Sequence, residues 1–366
     1  MKKVLNLFLC LFMGLISWAQ LPELTIEQHL EDYDFAVKYI EDNYSGFPDK
    51  VTNSTLAGYE TMRSSLRSQV EQGERSGWDA VAELMGWFND AHLKIHYAVF
   101  DEQVNDDVNW TEYYRKKKFI HYAGLMEEYN PVPVACKVTD KTFLIRLPSC
   151  GGDPDLKWVK NSIKQFKKSH CENLVIDIRG NGGGSDGIWS PYLELLYDHE
   201  TRLPGIEYRN SPQNMEYIKN EGLRKDILKM SIKQPDAEFL PHNGGVIRIK
   251  GKVDKRVRKA ALIIDNKVAS AGEQMVRIVG HSSNRTTIYG QDNTRGCLDY
   301  SNIALLKFKH SDIYFQVPMS HVCGLPESGI DATGIAPDVR IPLPLPARLT
   351  DNIDEWVIWV TEQLEK

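Results

Sequence analysis

The sequence of 366 residues has few cysteines, no excess of positive charge and no internal repeat. None of its 6 cysteines has the C-x-x-C spacing of a zinc site or a redox pair, and we expect no metal and no cofactor. Its formal charge of −6 disfavours nucleic acid as a partner. No low-complexity tract is present either, and a hydrophobic content of 42% is enough to form a large core.

Only one long apolar run stands out, and it lies at the N-terminus. Lys2 and Lys3 precede apolar residues 4–16, and small residues at Ser17 and Ala19 fit a signal-peptidase site. We therefore expect residues 1–19 to be a signal peptide, a periplasmic or secreted location, and a mature chain without a membrane span. Removal of the leader leaves an odd number of cysteines, so the disulfide pattern stays open, as does the oligomeric state.

A buried-strand pattern at residues 174–178 stops in the glycine-rich turn 179–184. Bare backbone N–H groups in such a turn can approach a substrate closely. The turn lacks the last glycine of the dinucleotide fingerprint, and no Gly-Lys-Ser/Thr follows it, so both common nucleotide sites are excluded.

A second strand pattern, at residues 260–265, leads to Ser270 and then to a helical apolar periodicity. Ser270 would thus lie at a helix N-terminus, with the Ala271 N–H as the nearest donor for a developing oxyanion. A serine in this position can equally be a simple N-cap. A hydroxyl facing a glycine-rich turn nevertheless indicates a serine hydrolase.

Four segments, taken in order, resemble the serine peptidases of the C-terminal-processing (tail-specific) and tricorn-core superfamily. They are residues 88–92, 177–184, 269–273 and 330–339. The resemblance implies an α/β fold with a ClpP/crotonase-like ββα-spiral catalytic core and an N-terminal helical subdomain. It also implies a peptide or protein as substrate.

The resemblance further distinguishes two branches by the base that activates the serine. Tail-specific enzymes carry a lysine in a Thr-x-Gly-Lys turn, whereas this chain has Cys297 at that position. The tricorn-like branch uses a histidine and an acid, and the matching residues here are His92 and Asp331. His96 is the second choice for the base, and Glu327 is the fallback for the acid. Imidazole suits the role because it titrates near neutrality, and we expect activity to rise through a pKa near 6 to 7.

The glycine turn and the residue after Ser270 supply the remaining site residues that the resemblance implies. Gly183 and Ala271 would form the oxyanion hole, and Gly182 and Gly184 would contact the substrate.

The expected domain division follows these motifs. It comprises a signal peptide (1–19), an N-terminal helical subdomain that contributes the histidine (20–100), a linker (101–131), a catalytic core (132–346) containing a lid or insertion (200–259), and a C-terminal helix (347–366). The lid region ends in a basic stretch, residues 250–259, that could hold a substrate carboxylate or simply be a solvated charged face. Too few residues separate Phe100 from the first core strand for a PDZ domain.

The sequence thus predicts an exported serine peptidase. Two alternatives stay open: a binding protein that keeps the fold without turnover, and a serine esterase of another fold. The esterase is disfavoured because its Gly-x-Ser-x-Gly motif needs a glycine where this chain has Val268.

Overall fold

The computed structural model of the chain describes residues 23–96, 132–346 and 353–366. Its helices are α1 (Ile26–Asn43), α2 (Phe47–Lys50), α3 (Leu56–Glu71), α4 (Gly77–Trp87), α5 (Leu156–Ser169), α6 (Asp186–Trp189), α7 (Leu193–Leu196), α8 (Pro212–Asn220), α9 (Lys225–Lys233), α10 (Ala271–Ser282) and α11 (Glu355–Glu365). Its strands are β1 (Lys94–His96), β2 (Val134–Lys137), β3 (Thr142–Arg146), β4 (Asn173–Asp177), β5 (Thr201–Pro204), β6 (Ile206–Arg209), β7 (Phe239–Pro241), β8 (Val246–Ile249), β9 (Lys259–Ile263), β10 (Thr286–Gly290), β11 (Tyr300–Lys307), β12 (Tyr314–Val322) and β13 (Val339–Arg340).

The first helix begins where the sequence places its cap. Thr25 Oγ1 accepts a hydrogen bond from the Gln28 N–H at 3.3 Å, and Gln28 Oε1 accepts one from the Thr25 N–H at 2.9 Å. This reciprocal pairing satisfies two N–H groups that a helix start would otherwise leave unpaired. The predicted amphipathic helix is therefore confirmed, and α1 packs with α3 and α4 into a helical unit.

A six-stranded sheet in the order β13-β10-β9-β4-β3-β2 forms the centre of the fold. All neighbouring strands in it are parallel except β2, which pairs antiparallel with β3. Along β4, Leu174 and Ile176 face one apolar core, and Val175 faces another, packed against α11. Helices on both faces of a largely parallel sheet make a layered α/β structure, which confirms the predicted class.

Strand register places the ends of β4 and β9 side by side. Asp177 pairs with Ile263, and each is the last residue of its strand. Since the two strands are parallel, their carboxyl ends lie at the same edge of the sheet. The glycine-rich turn and the segment leading to Ser270 therefore leave the sheet next to each other.

A second sheet is antiparallel, in the order β1-β12-β6-β7, with β11 also paired with β12. The α1, α3 and α4 unit packs on this sheet in a core that includes Phe315 and Val317 of β12, and α8 and α9 pack on it in a second core that includes Tyr208 and Met319. Residues 200–259, the predicted lid or insertion, thus supply two strands of this sheet. The domain bounds themselves stay a prediction, and residues 1–19 and 101–131 lie outside the described residues.

The C-terminal helix is tied to the central sheet by a buried ionic network. Arg146 Nη2 and Arg179 Nη2 donate to Asp354 Oδ2 at 2.8 and 2.7 Å, and both guanidinium groups also donate to Asp177. Burial opposes ionisation of Asp177, but the two guanidinium groups outweigh it and lower the pKa of that carboxyl group. No helix among the described residues is long and apolar enough to cross a membrane.

Candidate active site

Ser270 lies at the start of α10 in a strained conformation. Its φ of 53° and ψ of −120° fall in a region that residues with a side chain rarely adopt. The Ser270 N–H donates to Glu273 Oε2 and to the Cys297 carbonyl, both at 3.0 Å, and these bonds hold the strained backbone in place. Its side chain is half-buried, so the hydroxyl can still be reached from solvent.

The glycine-rich turn packs directly against this serine. The Gly180 N–H donates to the Asp265 carboxylate at 3.1 and 3.0 Å, and the Ala269 N–H donates to the Asn181 carbonyl at 3.0 Å. A Cβ atom on Gly183 would lie 2.7 Å from Ser270 Cβ, and φ at Gly183 is +99°. Glycine is therefore required at this position by both contact and conformation.

The two predicted oxyanion donors differ in availability. The Ala271 N–H belongs to the first turn of α10, and no acceptor for it is found among the described residues. The Gly183 N–H, by contrast, already donates to Asn181 Oδ1 at 3.0 Å. The structure therefore leaves Ala271 as a free donor but gives the Gly183 amide an internal partner.

The two glycines predicted to contact the substrate also differ. Gly182 is exposed and faces open space. Gly184 forms a parallel bridge with Cys150, and a Cβ atom on it would lie 2.1 Å from the Cys150 carbonyl oxygen. Close backbone packing accounts for the glycine at 184, whereas Gly182 is accessible to a ligand.

His92 reaches the serine from the other sheet. After α4, Asn89 takes a positive φ of 47°, and Asp90 Oδ1 then accepts the His92 N–H at 2.8 Å. The His92 carbonyl accepts from Gln316 Nε2 of β12 at 2.7 Å. These bonds place His92 Nε2 3.1 Å from Ser270 Oγ, within reach of a direct proton transfer.

His96, the second choice for the base, is directed elsewhere. Its Nε2 atom lies 2.7 Å from Gln316 Oε1, and its ring is buried in the antiparallel sheet. The amide of Gln316 therefore bridges the His96 ring and the His92 backbone. His96 supports the position of His92 through this bridge and has no contact with Ser270.

Glu273 organises the site, although the sequence analysis assigns it no role. Its buried carboxylate accepts from the N–H groups of Ser270, Gly296 and Cys297 and from Thr294 Oγ1, at 2.6 to 3.0 Å. Burial raises the pKa of this carboxyl group, and the four donors oppose the rise. The Ser-x-x-Glu spacing of a capping box was the available signal for its bond to Ser270.

The carboxylate of Asp331 has partners other than His92. Asp331 Oδ1 accepts from the N–H groups of Leu298 and Asp299 at 2.8 and 2.9 Å. Asp299 in turn accepts from the N–H groups of Ile330 and Asp331, so the two turns cap each other. This reciprocal pairing places Asp331 in a structural contact instead of the predicted contact with the base. The fallback, Glu327, is exposed and makes no side-chain hydrogen bond within the described part of the chain.

The electrostatics of the site keep the imidazole neutral. Burial, with the nearby charges of Lys94 and Arg295, lowers the pKa of His92 to about 4, against the opposing effect of the Tyr300 carbonyl. Burial together with neighbouring carboxylates raises the pKa of Asp331 to about 7, and burial raises that of Asp90 to about 6. A neutral imidazole is the form that can accept the serine proton.

The basic stretch of the predicted lid lies away from this site. Lys250, Lys252, Lys255 and Arg256 line an open cavity of about 670 Å³ near the start of β9, whereas Ser270 follows its carboxyl end. The stretch therefore lies at the end of β9 opposite to Ser270, and a role in holding a substrate carboxylate stays a prediction. No group of three histidine, cysteine or carboxylate side chains in the described ranges is arranged to hold a metal ion.

Comparison with known families decides the class of this site. The sequence profile of peptidase family S41 matches residues 141–341, more than half of the chain. The chain belongs to peptidase family S41. It is accordingly a serine-type peptidase, and the resemblance noted in the sequence is confirmed.

Solved structures agree with this S41 peptidase in fold. CPAF complexed with lactacystin is 13% identical, with a TM-score of 0.59 over 93% of this chain and 97% of CPAF. A mutant of CPAF is 12% identical, with a TM-score of 0.63 over 93% and 98%. A candidate peptidase from Parabacteroides merdae is 14% identical, with a TM-score of 0.52 over 92% and 96%. At these identities the likeness establishes the fold alone, and no curated protein matches the chain.

Proposed function

We propose that this S41 peptidase hydrolyses peptide bonds with Ser270 as nucleophile and His92 as general base. The observation that carries the proposal is the 3.1 Å separation between Ser270 Oγ and His92 Nε2. The neutral imidazole removes the hydroxyl proton as Oγ attacks the scissile carbonyl carbon, and it later returns a proton to the leaving amine.

The start of α10 supplies the charge stabilisation that this reaction needs. The Ala271 N–H and the positive end of the helix dipole are positioned to stabilise the oxyanion that forms next to Ser270. No metal ion is needed for this scheme, because proton transfer and oxyanion stabilisation both come from the chain itself.

Labelling with a fluorophosphonate probe tests the nucleophile directly. The wild-type chain should be labelled and should cleave members of a peptide library, whereas Ser270→Ala should do neither. Ser76→Ala is a matched control, because Ser76 also precedes a helix as its N-cap, but the helix is α4. Equal labelling of wild type and Ser270→Ala would contradict the assignment, and absence of labelling in both would favour a binding protein without turnover.

We further propose that the peptidase is exported. Support comes from the two lysines, the apolar run and the small residues of the first 19 positions. Protein recovered from the periplasm or medium of the producing cell should begin at Gln20. Recovery from the cytoplasm with Met1 or Lys2 at the N-terminus would contradict export.

A further inference from the structure

A second turn, residues 294–297, lies beside the nucleophile. The Ala269 N–H donates to the Asn181 carbonyl of the glycine-rich turn at 3.0 Å. The next N–H along the chain, that of Ser270, donates to the Cys297 carbonyl at 3.0 Å. Ser270 therefore has the glycine-rich turn as one neighbour and the turn 294–297 as the other.

Arg295 is the one exposed residue of this second turn. Its backbone is fixed, because its N–H donates to the Val268 carbonyl at 2.9 Å and the N–H of the next residue, Gly296, donates to Glu273 at 2.6 Å. Its side chain makes no hydrogen bond and no ion pair within the part of the chain that the structure describes. A guanidinium group without a protein partner thus extends from a well-held turn next to the nucleophile.

The charge around the reacting pair is positive. Lys94, at the start of β1, and Arg295, after β10, are both exposed, and both are close enough to the imidazole to lower the pKa of His92. The two cations come from the two different sheets that supply the base and the nucleophile. A peptide that reaches Ser270 therefore enters a positive electrostatic field.

The acids of the site are bound to donors other than this guanidinium. Glu273 accepts four hydrogen bonds from the backbone and a threonine, and Asp90 accepts a backbone N–H and a tyrosine hydroxyl. Asp299 and Asp331 cap each other's turns. Since no described carboxylate pairs with Arg295, a negative group that complements it has to come from a ligand.

We propose that Arg295 binds a carboxylate of the substrate close to the scissile bond and thereby makes the peptidase selective for acidic peptides. The planar guanidinium can donate two parallel hydrogen bonds to one carboxylate, which gives the contact both strength and orientation. The carboxylate is supplied by a glutamate or aspartate side chain or by the C-terminus of the peptide. This inference rests on the function proposed above, which places the scissile carbonyl at Ser270.

A bound carboxylate also changes the electrostatics of the base. It offsets the two cations near His92 and so raises the pKa of the imidazole in the complex. The acidic limb of kcat/KM reports the free enzyme, where this pKa is about 4, whereas the acidic limb of kcat reports the complex. The limb of kcat should therefore lie at higher pH for an acidic peptide than for its neutral counterpart.

The test uses peptide pairs that differ only by glutamate or glutamine at one position, each made with a free and with an amidated C-terminus. Wild type should cleave the acidic member with a kcat/KM about tenfold higher at the position that reaches Arg295. Arg295→Gln should lose the preference, and Arg295→Lys, which keeps the charge without the fork, should keep part of it. Arg202→Gln is the matched control, because Arg202 is also exposed and without a described side-chain partner but lies on β5. A preference that amidation removes identifies the C-terminal carboxylate as the bound group.

Equal kcat/KM for the acidic and neutral members at both kinds of position overturns the proposal, as does a preference that Arg295→Gln retains. Binding of fluorescent peptides to Ser270→Ala measures the same selectivity without turnover. An acidic peptide should bind about tenfold more tightly than its neutral counterpart, and adding Arg295→Gln should abolish the difference. Such binding with no cleavage by wild type would refute the proposed hydrolysis and keep the carboxylate site, whereas equal binding would refute the site itself.

Discussion

Ser270 and His92 come from different sheets and are held by different kinds of contact. Ser270 follows a parallel strand, and its strained backbone is bonded to Glu273 and to the turn that carries Cys297. His92 lies on the short connection between α4 and β1, held by backbone bonds to Asp90 and Gln316 and by one thiol contact at the ring. The nucleophile is thus fixed by a buried charged network, and the base mainly by its peptide groups.

Because of this difference, substitutions around Ser270 and around His92 should have different consequences. On the serine side, one buried carboxylate accepts four hydrogen bonds, so its removal affects several backbone segments together. On the histidine side, each bond acts on a single group, so a change should alter the position or the pKa of the ring while the fold remains intact. Substitutions around Ser270 should therefore lower stability together with rate, whereas substitutions around His92 should change the rate and leave stability intact.

The largest expected effect is the loss of the base itself. His92→Ala should lower kcat by roughly 10²–10⁴-fold, because His92 is the one described residue whose side chain is hydrogen-bonded to the Ser270 hydroxyl. Steady-state kinetics measure the loss, and the melting temperature should change little. His310→Ala is the control, since His310 pairs with Glu31 away from the site. Damage from His96→Ala with none from His92→Ala would show that the base has been misassigned.

Glu273→Gln should affect stability and rate together. The amide nitrogen of glutamine cannot accept from the backbone N–H groups that the carboxylate holds, which leaves buried donors unpaired. We expect the free energy of unfolding to fall by about 2–4 kcal/mol and kcat to fall by roughly 10²-fold through misplacement of Ser270. Urea unfolding and kinetics measure the two effects. Glu41→Gln, on α1, is the control, and a variant that loses rate at full stability would contradict the comparison.

The pKa of His92 gives a smaller, pH-dependent effect. Since the folded-state pKa is lowered to about 4, the base stays neutral down to that pH, and kcat/KM should rise through about pH 4 instead of 6 to 7. Lys94 is one of the positive charges that lower the pKa of His92, so Lys94→Gln should move the rise in kcat/KM to higher pH. Lys38→Gln on α1 should leave the limb unchanged. A wild-type limb at pH 6 to 7 that disappears in Asp331→Asn would assign the titration to Asp331 instead.

Asp331→Asn should have the smallest effect on rate. An amide oxygen can still accept from the N–H groups of Leu298 and Asp299, so kcat should change by less than about threefold, against roughly 10⁴-fold for the acid of a triad. Because the folded-state pKa of Asp331 is raised to about 7, ionisation costs the wild type stability as pH rises from about 4 through 7. Urea unfolding at pH 5 and pH 8 should show a smaller difference for the variant. A steep loss of kcat would return Asp331 to the role predicted from sequence.

Residues close in sequence were the ones that could be predicted. The strand, the serine and the helix that follow one another around Ser270 were evident from periodicity, and the glycine turn from its composition, because each is a local property. His92 came from the order of motifs shared with a family. The role of Asp331 as the acid was predicted from the same order of motifs, but its actual partners depend on how the turns at 298–299 and 330–331 pack together. The contact between Cys297 and His92 joins residues 205 positions apart, which no local pattern encodes.

The buried network around Asp354 bears on the order in which the chain can fold. Arg146 ends β3 and Arg179 lies in the turn after β4, so both leave the ribosome before Asp354, whose carboxylate joins that of Asp177 at the two guanidinium groups only afterwards. One face of the central sheet also stays uncovered until α11 arrives, which exposes Leu144, Val175 and Ile263 to water. Nascent chains stalled before residue 354 should therefore be sensitive to proteases and bound by chaperones, whereas chains that include α11 should resist digestion. We therefore expect α11 to complete the stable fold only after all the catalytic residues have been synthesised.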